Sequence, residues 1–367
     1  MSDSSGWGPS GPSGPYWGAP GGWGWTPPPP PKPGVIPLAP LGVDHILGGA
    51  FGTMRRYAKP LFGVALAGVL ALAALTLGLE VLAYLATKDR LQRMTAAPRS
   101  VDGADLRAVL IAFGSAWAVG MLVALVAGSF IQASSAATLH DAVLGRRTHF
   151  GAVWRRAWSR TPSVLGVTLL LGLFIAVPMA LFILMIFAAM LAVVLNGEPF
   201  IPAAIAFLLL LLSVPPALWL LVRFSFAPAA AVLEGASPLT ALRRSARLVR
   251  GAWWRTFGIT LLGGLIAFIV SLVTNLPFRL AMPTPQPYTP ATGTSVSVSE
   301  AYVQMLPHLG PALVLSVIAS AVAQLFFMVF MPLVTSLLYI DQRIRREGLA
   351  DVLFRASAVG ETPGPVA

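Results

Sequence analysis

Six long runs of apolar residues, parted by short polar stretches, dominate the pattern along the chain; they lie near residues 60–86, 108–138, 163–194, 202–223, 257–276 and 311–339. About 20 apolar residues in a helix cross the roughly 30 Å of a bilayer's hydrocarbon, so each run predicts a transmembrane helix. The runs are continuous rather than alternating, which argues against a barrel. The second, third and sixth are longer than a bilayer requires, and tilt or extension beyond it is expected. Pro178 predicts a kink in the third run, and Pro215 with Pro216 one in the fourth.

A second pattern precedes each odd-numbered run: GAFGTMRRYAKPLFGVAL, then GAVWRRAWSRTPSVLGVTL, then LTALRRSARLVRGAWWRTFGITL. In the second segment Phe150, Val153, Trp154, Ala157 and Trp158 fall on one helical face. In the third, Leu239, Leu242, Ala246 and Val249 share a face, Arg243, Arg247 and Arg250 lie beside one another on another, and Leu248 breaks the pattern. Ser237 is a candidate cap for this helix, with Pro238 in its first turn and Gly251 suited to its end. The unit of amphipathic helix, span, outer loop and span thus occurs three times. The expected fold class is all-α: a polytopic helical membrane protein with six transmembrane helices, three interfacial amphipathic helices and a disordered N-terminal tail.

Helices of this kind lie in the interface plane, with apolar faces in the acyl boundary and arginines toward anionic headgroups. The candidate lipid-headgroup residues are Arg155, Arg156, Arg243, Arg244, Arg247 and Arg250, with Trp253 and Trp254 at headgroup level. The plainer reading of the same residues is topology anchoring, which every multispan protein needs.

Composition agrees with the membrane assignment: 56% of the 367 residues are hydrophobic and 11% charged. The net charge of +11 is divided into groups beside the apolar runs rather than gathered in one patch, and no nucleic-acid-binding module accompanies it, so no nucleic-acid partner is expected. Arginine and lysine concentrate before the first span, between the second and third, between the fourth and fifth, and after the sixth. The other side carries Lys88, Arg90, Arg93, Arg99 and Arg107 in the first loop, interspersed with Asp89, Asp102 and Asp105, and Arg279 in the last. This bias predicts cytoplasmic N- and C-termini in a bacterial plasma membrane, where the anionic lipids of the inner leaflet would be partners. No signal-peptide pattern follows Met1, so the first span is expected to direct insertion.

Residues 1–34 combine Gly, a proline run from Pro27 to Pro31, and Trp7, Trp17, Trp23 and Trp25, with hardly any aliphatic residues. Such a segment cannot bury a core and reads as a disordered tail, either simply solvated or docking a protein partner. The membrane domain then covers 35–348, and 349–367 reads as a flexible C-terminal tail.

Candidate chemistry is sparse. There are no cysteines, so disulfides and thiolate chemistry are excluded. His45, His140, His149 and His308 form no metal-binding spacing, although Asp44–His45 and His140–Asp141 recur at one interface. No phosphate-binding loop, dinucleotide fingerprint or nucleophile elbow is present, so neither an enzyme nor a cofactor is expected. Glu80 reads as an interfacial acid or a proton relay, and Arg223 as a snorkelling or substrate-binding cation. Ser316, Ser320 and Gln324 repeat at i, i+4 and i+8 near the middle of the sixth span. That stripe is a candidate polar path, or simply helix–helix glue.

PGVIPLAPLG before the first span, FAPAAAVLEGASPLTALRRSARLVRGAWWRTFGI after the fourth and LLYIDQRIRREGL near the tail resemble an actinobacterial family of six-span membrane proteins of unknown function. Its members are often labelled as resembling the membrane domain of glycerophosphodiester phosphodiesterases. The resemblance spans about 34–350 and implies a helical membrane domain. It supplies no metal-binding catalytic domain, so phosphodiesterase activity is not expected. The function expected is a non-enzymatic module that assists or organises lipid, envelope or transport machinery; a transporter or lipid-handling permease using the polar face of the sixth span is the alternative.

Overall fold

The computed structural model describes residues 34–37, 39–96, 102–146, 149–194, 200–281 and 298–349; within its helices the side chains at 95–96, 188–194, 200–203, 206, 278–279, 281 and 298–318 are also outside the description. Of the tail expected at residues 1–34, residues 1–33 lie outside the described residues, as do residues 282–297 of the last loop and the C-terminal tail beyond 349. Nine helices and no strand occur among the described residues: α1 (Val43–Arg56), α2 (Ala58–Ala96), α3 (Gly103–Val143), α4 (Phe150–Val194), α5 (Phe200–Arg223), α6 (Ala227–Leu233), α7 (Pro238–Val249), α8 (Trp253–Ala281) and α9 (Val298–Glu347). Six of the helical segments are long and apolar enough to cross a membrane, one at each expected run.

The helices extend well past their apolar stretches. At 1.5 Å per residue the 39 residues of α2 measure about 58 Å, nearly twice the hydrocarbon thickness. It forms an antiparallel hairpin with α3, braced at the loop end where Arg93 donates to Asp105 from Nε (3.1 Å) and Nη2 (2.9 Å). Both α4 and α5 continue through their internal prolines, Pro162 and Pro178 in one, Pro215 and Pro216 in the other.

Burial is concentrated at the end of the bundle rich in arginine. There the approach segment (Ile36, Leu41), α1 (Ile46, Ala50), the end of α3 (Ile131, Leu139), the alanines of α6 and the second half of α9 (Leu333, Leu337, Tyr339) form one core. The central helix is α9: 44% of its most apolar window is buried within the protein, against none of the corresponding window in α4. Lipid is the natural neighbour of the remainder, since lipid-facing helices need no protein cover for their apolar side chains.

The three surface segments differ from one another. The first forms a separate helix, α1, ending at Tyr57, and the third forms α7, which ends before Gly251 at φ +81°. That left-handed conformation suits a residue without Cβ and lets the chain turn into α8. The second segment is continuous with its span in α4, since nothing at Thr161–Pro162 interrupts the helix.

The faces also differ from the sequence expectation. In α7 the buried residues are Ala241, Leu242, Ser245, Leu248 and Val249, an unbroken stripe that includes Leu248, while Leu239 is 59% exposed. The stripe rests on protein rather than in an acyl boundary, because α6, α4, α5 and α9 lie beneath it. In α4, Val153 and Ala157 are buried but Phe150, Trp154 and Trp158 form an exposed aromatic edge, with Trp154 and Trp158 edge-on to Phe130 at 4.6 and 5.7 Å. Ser237 occupies the N-cap position of α7, yet its hydroxyl pairs with that of Thr240 (2.9 Å) rather than with a backbone N–H.

Candidate functional site at the basic end

Asp341 lies fully buried in the last turns of α9. A buried carboxylate is costly unless it is paired and hydrogen-bonded, and four groups converge on this one. Leu41 N–H donates to Oδ1 (2.8 Å), Arg345 Nε reaches both oxygens (2.9 and 3.2 Å), Arg255 Nη1 donates to Oδ2, and the Gln342 amide lies 3.4 Å from Oδ2. The same two arginines donate to the Leu41 carbonyl, Arg255 at 2.8 Å and Arg345 at 2.9 Å. Both backbone groups of Leu41 are thus satisfied, and the approach segment, the start of α8 and the end of α9 are clasped together.

A second network surrounds the turn between α6 and α7. Arg244 donates to Glu234 from Nε and Nη2 (both 3.1 Å to Oε1) and to Glu347 (2.7 Å); Arg343 donates to Glu347 (2.9 Å) and pairs with Glu234 (3.4 Å). Two arginines and two glutamates therefore alternate around a closed ring, and the Tyr339 hydroxyl donates to Glu234. Burial works against the charge of Arg244, but its hydrogen bonds to Glu234 and Glu347 hold the guanidinium above the usual arginine range. Arg346 completes the joint by donating to the carbonyls of Arg247 (3.2 Å) and Arg250, which α7 leaves unpaired at its end.

Ser245 links α7 to the break after α5. Its hydroxyl donates to the Arg223 carbonyl (2.9 Å) and accepts from Phe226 N–H (3.1 Å), satisfying two backbone groups that the interruption between α5 and α6 frees.

The residues expected to meet headgroups separate into two sets. Arg244 is not free for headgroups in the way the sequence suggested, because two carboxylates occupy its guanidinium. Arg156 lies 3.5 Å from Asp141. Arg155, Arg243, Arg247 and Arg250 are exposed, as is Trp254, whereas Trp253 is partly buried, stacked on Phe257 at 5.2 Å, with its indole N–H 3.4 Å from the Trp219 carbonyl. Arg223 packs its guanidinium over Trp219 at 4.8 Å. His45 and His140 pair locally with Asp44 and Asp141, each at 3.4 Å, and no group of three metal-ligating residues occurs among the described residues.

Of the proposed polar path, Ser320 and Gln324 line a cavity of about 320 Å³ between α8 and α9, while the Ser316 side chain is outside the described residues. Sequence reasoning missed their counterparts on α8: Ser320 donates to Asn275 Oδ1 (3.0 Å), and Asn275 in turn donates to the Ser271 carbonyl (2.8 Å). The i, i+4 spacing of Ser271 and Asn275 was the available signal. A second, almost wholly apolar cavity of about 450 Å³ lies between α5 and α8, lined by Leu218, Val222, Phe257 and Thr260, and Gly264 and Phe268 border both.

The model of a family described as a domain of unknown function, DUF7847, matches residues 43–341. The chain belongs to this family. No curated protein and no solved structure matches it. The DUF7847 region begins two residues after Leu41 and ends on Asp341, so it covers the six apolar runs, while Leu41, Arg343, Arg345 and Glu347 of the two networks lie just outside it. The protein is a multi-pass membrane protein.

Proposed function

We propose that the protein is a non-enzymatic membrane module that organises lipid, envelope or transport machinery, with its basic end as a preassembled platform on the inner face of a bacterial plasma membrane. The observation that carries this reading is the double clasp: Asp341 and the Glu234–Arg244–Arg343–Glu347 ring join the approach segment, α7, α8 and α9 through charged groups that bind one another. A side chain held in such a lattice is poorly placed to turn over a substrate, and well placed to hold a surface in one shape. That surface presents Arg155, Arg243 and Arg247 outward, which suits anionic headgroups or acidic segments of a partner. The sequence resemblance to membrane domains that accompany phosphodiesterases supports an accessory role of the same kind.

The test is affinity purification of the tagged full chain from native membranes in mild detergent, beside a chain lacking residues 1–34 and an Arg155→Gln/Arg243→Gln/Arg247→Gln variant. A defined partner that is retained by the full chain and depleted in either altered chain is the expected result. Equal recovery of the same proteins by all three chains overturns the platform reading.

A second reading, a transporter or lipid-handling permease, draws support from the polar cavity of Ser271, Asn275, Ser320 and Gln324, which abuts the apolar cavity at Gly264 and Phe268. Replacing Ser320 and Gln324 with Leu should then abolish flux in proteoliposomes while leaving expression intact; unchanged flux defeats it.

A further inference from the structure

We propose that the cavity where α1 meets α2, beside the start of α4, is a binding site for a phosphate group, carried by a phospholipid headgroup or free in solution. The cavity measures about 760 Å³ and is lined by Arg55, Arg56, Lys59 and His149, with Tyr57 and Phe150 among the remaining wall residues. None of the described residues lining it is acidic. This composition sets it apart from the two networks at the same end of the molecule, where Arg244, Arg255, Arg343 and Arg345 all bind carboxylates. Arg55, Arg56 and Lys59 have no carboxylate within ion-pair distance among the described residues. Three exposed like charges on one wall raise the local positive potential and draw an anion toward it.

The backbone adds to the same field. The carbonyl of His149 accepts the N–H groups of Ala152 (3.0 Å) and Val153 (3.2 Å), which makes His149 the residue that opens α4 and places that helix's first turn on the cavity wall. The first turn of a helix presents unpaired N–H groups and the positive end of its dipole. The α1–α2 corner is held in position by the Tyr57 hydroxyl, which donates to the Arg146 carbonyl (2.9 Å) at the end of α3. The basic groups are thus carried on a fixed corner rather than on a loose loop.

Phosphate fits better than carboxylate because several oxygens can accept from separate arginines and a helix N-terminus together. The location favours a membrane source without requiring one: Lys59 and Pro60 lead directly into the apolar stretch of α2, and the half-exposed ring of Phe150 lies across from them. The cavity volume is in the range of ligand pockets and accommodates a glycerophosphate headgroup as well as phosphate alone. The site shares no residue with the platform surface of Arg155, Arg243 and Arg247, so its test can fail while that reading stands.

The experiment measures binding to the purified full chain in an uncharged detergent by calorimetry. The probes are dioctanoyl phosphatidylglycerol, inorganic phosphate and, as the net-neutral comparison, dioctanoyl phosphatidylcholine. Arg55→Gln/Arg56→Gln/Lys59→Gln should weaken the bound probe by about tenfold or more, as expected when charge-assisted hydrogen bonds are lost. Lys88→Gln/Arg107→Gln, which removes exposed charge at the opposite end of the bundle, should leave it within about twofold, and both variants should keep the elution and melting behaviour of the parent. Saturable phosphatidylglycerol binding that inorganic phosphate does not displace assigns the site to a headgroup; saturable phosphate binding with the same loss in the triple variant assigns it to a free phosphate. Absence of saturable binding by both anionic probes overturns the proposal, as does equal loss in the two variants or equal affinity for phosphatidylcholine. If the triple variant fails to fold, Lys59→Gln alone should still weaken binding by a few-fold, and no change there also overturns it.

Discussion

At the basic end, Asp341 is fully buried and holds Leu41, Arg255 and Arg345, whereas toward the other end of α8 and α9, Ser320 and Asn275 make one hydrogen bond beside an open cavity. The two sites lie on the same pair of helices, roughly twenty residues or about 30 Å apart along each. One end is closed by many mutually dependent charges; the other is bridged by a neutral pair that can part at little cost. The contrast places most of the specific tertiary stability at the basic end and leaves the opposite end of the helix pair free to adjust to lipid or to a ligand.

The sharpest way to break this comparison is Asp341→Ala. It leaves the Leu41 N–H unpaired and Arg255 and Arg345 with only the Leu41 carbonyl, and should destabilise the protein by about 3 kcal/mol, seen as a large loss of thermal stability in detergent. Next in size, Ser245→Ala leaves the Arg223 carbonyl and Phe226 N–H without their partner and should cost about 1–3 kcal/mol by the same measurement. Glu234→Gln opens the ring around Arg244. Its side chain is 24% exposed, so the loss should be about 1 kcal/mol and should shrink in high salt, which a melting series in sodium chloride would show. Asn275→Leu should have the smallest effect, about 0.6 kcal/mol, the usual size of a hydrogen bond between membrane helices. If Asn275→Leu destabilised the protein more than Asp341→Ala, the assignment of rigidity to the basic end would be wrong.

Much of the architecture was readable from period and length. A run such as 257–276 has one stable form in hydrocarbon, a helix, because each backbone donor and acceptor must be satisfied within the segment. The surface helix at Pro238–Val249 was readable from its caps and its arginines, but the burial of its face was not. Leu248 looked out of place because the sequence pattern did not reveal that protein lay on that side; the elements packed under α7 include α6, whose alanines give no periodic signal.

The candidate site was the least readable part, for a reason of distance along the chain. Arg244 belongs to a run of arginines that resembles any cytoplasmic anchor, and its partner Glu347 is 103 residues away. Asp341 and Leu41 are separated by 300 residues, and a leucine acting through its backbone leaves no mark in composition. Ser320 and Gln324 were visible as polar residues in an apolar run, but the Asn275 they face is visible as a partner only once α8 and α9 are packed.

By itself, the sequence determined the class of solvent, the number of crossings and the places where charge gathers, because these follow from local transfer energies of side chains and backbone. Only the tertiary structure decided which basic residues bind carboxylates and which, like Arg55, Arg56 and Lys59, face a cavity. Pairing between charges depends on the meeting of segments far apart in the chain, and that meeting is set by how the helices pack.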